Sequence, residues 1–272
     1  MLKQRIITAL LLLPFVFGTI LFLPLEYFSI VWALVMTIAA YEWLKLSNVK
    51  KVLPLVIGLI ALNAVFMLVW FYPVSHLSVE WFILIAWLFI VVSFTGDPVA
   101  RLQKCSATLY SIIGLLVGCV VILPTWFSLV VLHEHNPWMV LHVFGIVWIA
   151  DTGAYFSGKL FGKRKLAPAI SPGKSWEGVI GALVAVTLYS IVVSFWWREG
   201  IEQIQWLFVF ICVVAAIASV AGDLLESVFK RASGVKDSGK ILPGHGGVMD
   251  RLDSIMAAGP VFTAGYYLAG WL

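Results

Sequence analysis

VLPLVIGLIALNAVFMLVWFY, residues 52–72, contains no charged side chain. As a helix rising 1.5 Å per residue it covers roughly 30 Å, the hydrocarbon thickness of a bilayer. Comparable apolar runs occupy 6–23, 27–46, 80–96, 108–132, 138–157, 178–197, 204–224 and 254–272. The chain therefore reads as an all-α polytopic integral membrane protein with about nine transmembrane helices. The first run follows Met-Leu-Lys-Gln-Arg but has no small-residue cleavage site, so it reads as a retained helix and not a signal peptide.

Composition agrees. Of 272 residues, 62% are hydrophobic and 12% charged, against roughly 45–50% and 25% in soluble domains. Mean hydropathy is +1.01. A soluble enzyme, a disordered chain and a nucleic-acid-binding domain are excluded. Cys105, Cys119 and Cys212 are scattered and imply neither a disulfide framework nor a zinc site.

Charge distribution gives the orientation. The N-terminus and the loops near 47–51, 97–107, 158–177 and 225–253 hold 17 of the 18 Lys and Arg residues. The opposite side holds Arg198 with Glu26, Glu80, Glu134, Glu199 and Glu202. Basic residues stay cytoplasmic, so the N-terminus is expected inside and the C-terminus outside. Trp70, Trp81, Trp138, Trp196, Trp197, Trp206 and Trp271 suit an outer aromatic belt. On that side His133-Glu134-His135 supplies too few ligands for a metal and is read as a solvated loop.

The chemistry concentrates at the inner edge of the second half. Asp151 lies inside the sixth run, eight residues before Lys159, roughly 12 Å of helix; an intramembrane carboxylate is paired or functional. Asp223 and Glu226 close the eighth run, and Asp250 and Asp253 open the ninth. Three residues apart, the last two share a face once a helix has begun. They suit either a hard cation such as Mg2+ or a helix start whose dipole is complemented by acids. The loop 239–247, Gly-Lys-Ile-Leu-Pro-Gly-His-Gly-Gly, has four glycines and leads into a helix. It can hold phosphate oxygens on its backbone N–H groups or serve as a re-entrant connection. Gly173-Lys174-Ser175 resembles the end of a nucleotide-binding P-loop, but Pro168 stands where that motif needs glycine. Gly114 and Gly118 form a helix-packing pair. Residues alone thus indicate a cation site, a glycine turn and many bases acting on phosphorylated substrates.

The 27 residues from Ser227 to Asp253, SVFKRASGVKDSGKILPGHGGVMDRLD, resemble the signature of the phosphatidate cytidylyltransferase (CDP-diacylglycerol synthase) family. Ser227, Phe229, Lys230, Arg231, Lys236, Asp237, Gly239, Leu242, Pro243, His245, Gly246, Gly247, Asp250, Arg251 and Asp253 match it without a departure. Asp151–Tyr155, Ser171–Gly178 and Ala221–Glu226 are also similar to that family. The resemblance implies transfer of CMP from CTP to phosphatidic acid in phospholipid biosynthesis, Mg2+ with room for a second, monovalent cation such as K+, and a homodimer. No nucleic-acid partner is expected. It places the protein in a bacterial inner membrane with its active site on the cytoplasmic side. Residues 1–135 become membrane helices for packing and dimer contacts, and 136–272 the catalytic helices.

On this reading Asp223, Asp250 and Asp253 bind metal, with Asp151 a further ligand or the group that orients a base. Lys230, Arg231, Lys236 and Arg251 hold triphosphate or lipid phosphate, with Asp223, Lys230, Arg231, Asp250 and Arg251 as the catalytic set. Lys163, Lys165, Lys174, Ser175, Ser227 and His245 complete the substrate contacts. Gly246 and Gly247 bring the backbone to a phosphate. Asp237 is either functional or merely paired with Lys236 or Lys240. No Ser-His or Cys-His pair is apparent, so direct transfer is expected. Other CDP-lipid or polyprenyl phosphotransferases need longer aspartate-rich motifs, and a transporter would need broken helices in both halves.

Overall fold

The computed structural model describes residues 2–49, 51–72, 76–196 and 205–272. Arg198, Glu199, Glu202 and Trp197 lie outside the described residues. Eleven helices and one hairpin follow in order: α1 Leu2–Phe22, α2 Leu25–Leu46, α3 Val52–Phe71, α4 His76–Ser93, α5 Pro98–Gln103, α6 Ala107–His135, α7 Pro137–Phe161, β1 Lys165–Ala167, β2 Ser171–Ser175, α8 Trp176–Trp196, α9 Gln205–Ala232, α10 Met249–Leu252 and α11 Ile255–Leu268. Among the described residues six helices are long and apolar enough to cross a membrane: α2, α3, α6, α7, α8 and α9. Ile7–Phe22 and Trp81–Ser93 are shorter apolar helices. The protein is an all-α membrane protein with one small two-stranded sheet.

The stretch 52–72 forms α3, which buries only Phe66. A helix apolar on every side with its surface uncovered by protein is solvated by lipid. The core lies elsewhere. Trp43 of α2 crosses onto α6, where Nε1 donates to the Gly114 carbonyl at 2.7 Å. A Cβ at Gly118 would stand 2.5 Å from that indole nitrogen, and one at Gly114 would run into Ser47, so the glycine pair admits the end of α2. Helices α7 and α8 approach more closely still. A Cβ at Gly153 would meet the Gly181 carbonyl at 2.8 Å and the Ala185 methyl at 2.9 Å. Membrane helices associate through such small residues.

Three expectations are corrected. The 158–177 segment is not a plain loop: β1 and β2 pair antiparallel, Lys165 opposite Ser175, with Ile170 buried against Leu224 and Val228. Helix α9 continues past residue 224 to Ala232, because Leu225, Val228 and Phe229 keep a buried stripe along it. His133-Glu134-His135 is no solvated loop but the end of α6. His133 is buried, stacked 3.9 Å from Phe28, and its Nε2 lies 3.0 Å from the Ile20 carbonyl.

Candidate functional site

The end of α9 points Asp223, Glu226, Ser227 and Lys230 at α10 and the loop before it. Lys230 Nζ lies 2.6 Å from Glu226 Oε2, one turn back, and 2.7 Å from Asp250 Oδ1. All three side chains are largely buried. Asp223 is more open; its Oδ2 meets Lys174 Nζ of β2 at 2.7 Å, and Ser227 Oγ donates to its Oδ1 at 3.3 Å. This Lys174 pair ties the hairpin to α9. Asp151 on α7 lies within electrostatic reach of Asp223, Lys174 and Arg251. A cleft of about 210 Å³ opens there, lined by Asp151, Tyr155, Gly158, Gly173 and Lys174 among others.

Asp250 and Asp253 have different surroundings. Asp250 Oδ2 accepts the N–H groups of Ser238 at 2.9 Å and Gly247 at 2.8 Å, and Ser238 Oγ lies 3.0 Å away. Burial alone would raise the Asp250 carboxyl, but Lys230 and these backbone donors hold it below the usual carboxylate range. The N–H expected to meet a phosphate at Gly247 is thus given to Asp250. Gly246 adopts φ +85°, open to glycine, and a Cβ there would come 2.6 Å from Asp250 Oδ2. The glycines let the loop wrap a carboxylate of its own chain.

Asp253 caps the four-residue α10 and faces the other way. Burial, then the nearby Asp223 and Glu226 charges, push its carboxyl well above the usual value. The buried Glu226 carboxylate lies within hydrogen-bond reach of the Asp253 carboxyl, which can donate to it when protonated. Asp223, Glu226 and Asp253 are thus close enough for their charges to act on one another, and carboxylate oxygens are the donors a hard divalent cation takes. Among the described residues no three acid, His or Cys side chains already converge on one point; Lys174 and Lys230 neutralise the cluster instead.

The remaining expected contacts divide. Ser175 is buried at the start of α8, its Oγ accepts the Gly178 N–H at 3.1 Å, and it lines the same cleft as Asp151 and Lys174. Lys163 and Arg164 give their backbone N–H groups to Glu177 at 3.1 and 3.2 Å, leaving both side chains exposed. Lys165 and Lys236 are also exposed. Arg231 turns to the Ile170 carbonyl at 3.3 Å and packs the hairpin. Arg251 Nη2 donates to the His245 carbonyl at 3.0 Å, while His245 Nδ1 is buried and unpartnered. Asp237 forms no ion pair with Lys236 or Lys240 among the described residues.

Ser238, Glu42 and, beyond its place near the membrane edge, Glu226 are members of the site that the sequence pattern does not single out. Glu42 is 1% exposed on α2. Its signal was available: a carboxylate inside an apolar run asks for a partner.

The profile of the cytidylyltransferase family matches residues 3–269. The chain is similar to a phosphatidate cytidylyltransferase of Pseudomonas aeruginosa, 39% identical over 285 residues, covering 100% of this chain and 99% of that protein. One from Haemophilus influenzae is 34% identical over 294 residues, covering 98% and 99%. One from Staphylococcus haemolyticus is 47% identical over 124 residues, covering 46% of this chain and 47% of that protein.

Proposed function

The chain belongs to the cytidylyltransferase family, and from that premise we infer that it transfers CMP from CTP to phosphatidic acid. A lipid phosphate oxygen bonds to the α-phosphorus of CTP. The bond from that phosphorus to the oxygen bridging the β-phosphate breaks, and pyrophosphate leaves beside CDP-diacylglycerol. The observation that carries the reading is the cluster of Asp223, Glu226 and Asp253 beside Lys174 and Lys230 at one end of the helices.

The nucleophile is already anionic at neutral pH, so the site needs no strong base. Its task is to bring two anions together and accept a charged leaving group. Lys163, Lys165 and Lys236 are exposed to meet phosphates from the rim, and Arg251, held at the His245 carbonyl through Nη2, has further guanidinium donors for the same task. Lys174 holds Asp223 at 2.7 Å and would turn to substrate when that carboxylate takes another partner. Mg2+, held by Asp223, Glu226 and Asp253 with Asp151 at the rim, would supply Lewis-acid neutralisation of the departing pyrophosphate. Asp250 orders the glycine loop. The resemblance in the signature also supports a second, monovalent cation, a homodimer and a bacterial inner membrane. Nine spans, a cytoplasmic N-terminus and a cytoplasmic active site rest on the charge asymmetry of the loops.

The test uses sealed membrane vesicles of both orientations, with phosphatidic acid in the bilayer and CTP, which does not cross it, added outside. Inside-out vesicles are expected to form CDP-diacylglycerol, and right-side-out vesicles only after detergent opens them. Product from sealed right-side-out vesicles would reverse the topology. No product after opening either kind would overturn the activity.

A further inference from the structure

We propose that Glu42, in the N-terminal half of the chain, is a positioning residue of the reaction centre. The inference rests on the cytidylyltransferase reading but assigns a role to a part of the chain read so far as packing. Glu42 sits in the last two turns of α2, 1% exposed. A carboxylate buried there is costly unless it is hydrogen-bonded. Its Oε2 accepts the Met249 N–H at 2.9 Å and lies 3.2 Å from Ser238 Oγ. Met249 begins α10, immediately before Asp250. Ser238 contacts Asp250 through both its N–H and its hydroxyl.

One carboxylate from α2 therefore grips both sides of the turn that encloses Asp250. The network runs on from Asp250 through Lys230 to Glu226, a member of the acid cluster. The Ser238 hydroxyl has a single proton for two carboxylates, so it serves Glu42 or Asp250, not both at once. The turn is also shaped to receive Glu42. A Cβ on Gly239 would run into Glu42 Oε1, and a Cβ on Gly247 into Oε2. Oε1 has no hydrogen-bond partner among the described residues. The contacts that fix Glu42 are thus all made by one oxygen, and all go to neighbours of Asp250. Thr8 of α1 adds a second tie from the same half, donating to the Pro243 carbonyl at 2.8 Å.

Reach, not charge, is what this arrangement demands. Glu42→Gln places an amide oxygen where Oε2 stands and exchanges an unpartnered acceptor for an unpartnered donor. Glu42→Asp keeps the charge but withdraws the oxygen by a methylene. A misplacement of about 1 Å in a reaction centre lowers turnover by about a hundredfold. The phosphate-binding side chains of the hairpin do not touch Glu42, so CTP binding is little affected.

The experiment measures kcat and the CTP KM of full-length wild-type, Glu42→Gln, Glu42→Asp and Glu42→Ala protein in detergent micelles, with tryptic cleavage after Lys240 as a readout independent of activity. Glu42→Gln is expected within about threefold of wild-type kcat. Glu42→Asp and Glu42→Ala are expected to lose about a hundredfold in kcat, with KM within about threefold and faster cleavage of the 239–247 turn. If Glu42→Ala does not fold, the contrast between Gln and Asp decides. Wild-type kcat in Glu42→Asp, or a loss in Glu42→Gln as large as in Glu42→Asp, overturns the proposal. Inactive wild-type protein would instead strike at the cytidylyltransferase reading, so the two failures are distinct.

Discussion

Asp253→Asn is expected to lower turnover by about 10³-fold while leaving the metal-free protein as stable as the parent, or more so. Asn keeps the side-chain volume and one acceptor for the Ser254 N–H, now 2.7 Å from Asp253 Oδ1. It removes a carboxyl whose ionised form burial and the Asp223 and Glu226 charges oppose. Without a cation that carboxyl must take up a proton to fold, which costs stability above the ordinary carboxylate range, so replacing it raises the thermal midpoint in EDTA. With Mg2+ the same charge is a ligand, and losing it removes about 4 kcal/mol of transition-state stabilisation. The check is kcat at saturating Mg2+ beside the midpoint in EDTA. Parental turnover would remove Asp253 from the metal set. A large fall in the midpoint would mean that the carboxylate is structural.

Lys230→Met is expected to act first on stability. Lys230 neutralises Glu226 and Asp250 at 2.6 and 2.7 Å, and removing one member of a buried ion network leaves uncompensated charge. Such losses cost about 3–5 kcal/mol, and each kcal/mol shifts the midpoint by about 2–4 °C in a chain of this size. Thermal unfolding followed by tryptophan fluorescence in micelles gives the answer. An unchanged midpoint with activity lost would return Lys230 to the phosphate-binding role suggested by its place in the signature.

The membrane helices were legible because their signal is local. An uninterrupted run such as 52–72 has one stable answer in lipid, a helix that satisfies its own backbone. The ends of α9 and α6 were not legible by the same means. Past residue 224, α9 keeps a buried stripe on one face while its other face turns charged, and average hydropathy falls although the helix does not end. His133 follows α6 into the core because Phe28 and the Ile20 carbonyl, far away in sequence, receive it. The hairpin was hidden by its length: β1 has three residues and β2 five, with Pro168, Pro172 and Gly173 among and between them. Too little periodicity fits in so short a span.

The candidate site divides along the same line. The acids and bases of 223–253 were legible as a group, since their chemistry is written in residue type. Their division of labour was not. Asp250 and Asp253 are three apart and were expected to act together. The short α10 turns one toward the glycine loop and the other toward Asp223 and Glu226. Nothing local reveals that Gly247 gives its N–H to Asp250, or that Glu42 meets a serine 196 positions away.

The most direct test of the account follows the phosphates of CTP. Purified protein in detergent, with phosphatidic acid and Mg2+, is given CTP labelled at the α-phosphate or at the γ-phosphate. The account predicts that α-label enters the chloroform-soluble lipid as CDP-diacylglycerol, that γ-label leaves as pyrophosphate, and that EDTA stops both. Label from the γ-phosphate in the lipid, or α-label remaining in water-soluble CMP with no lipid product, would contradict it.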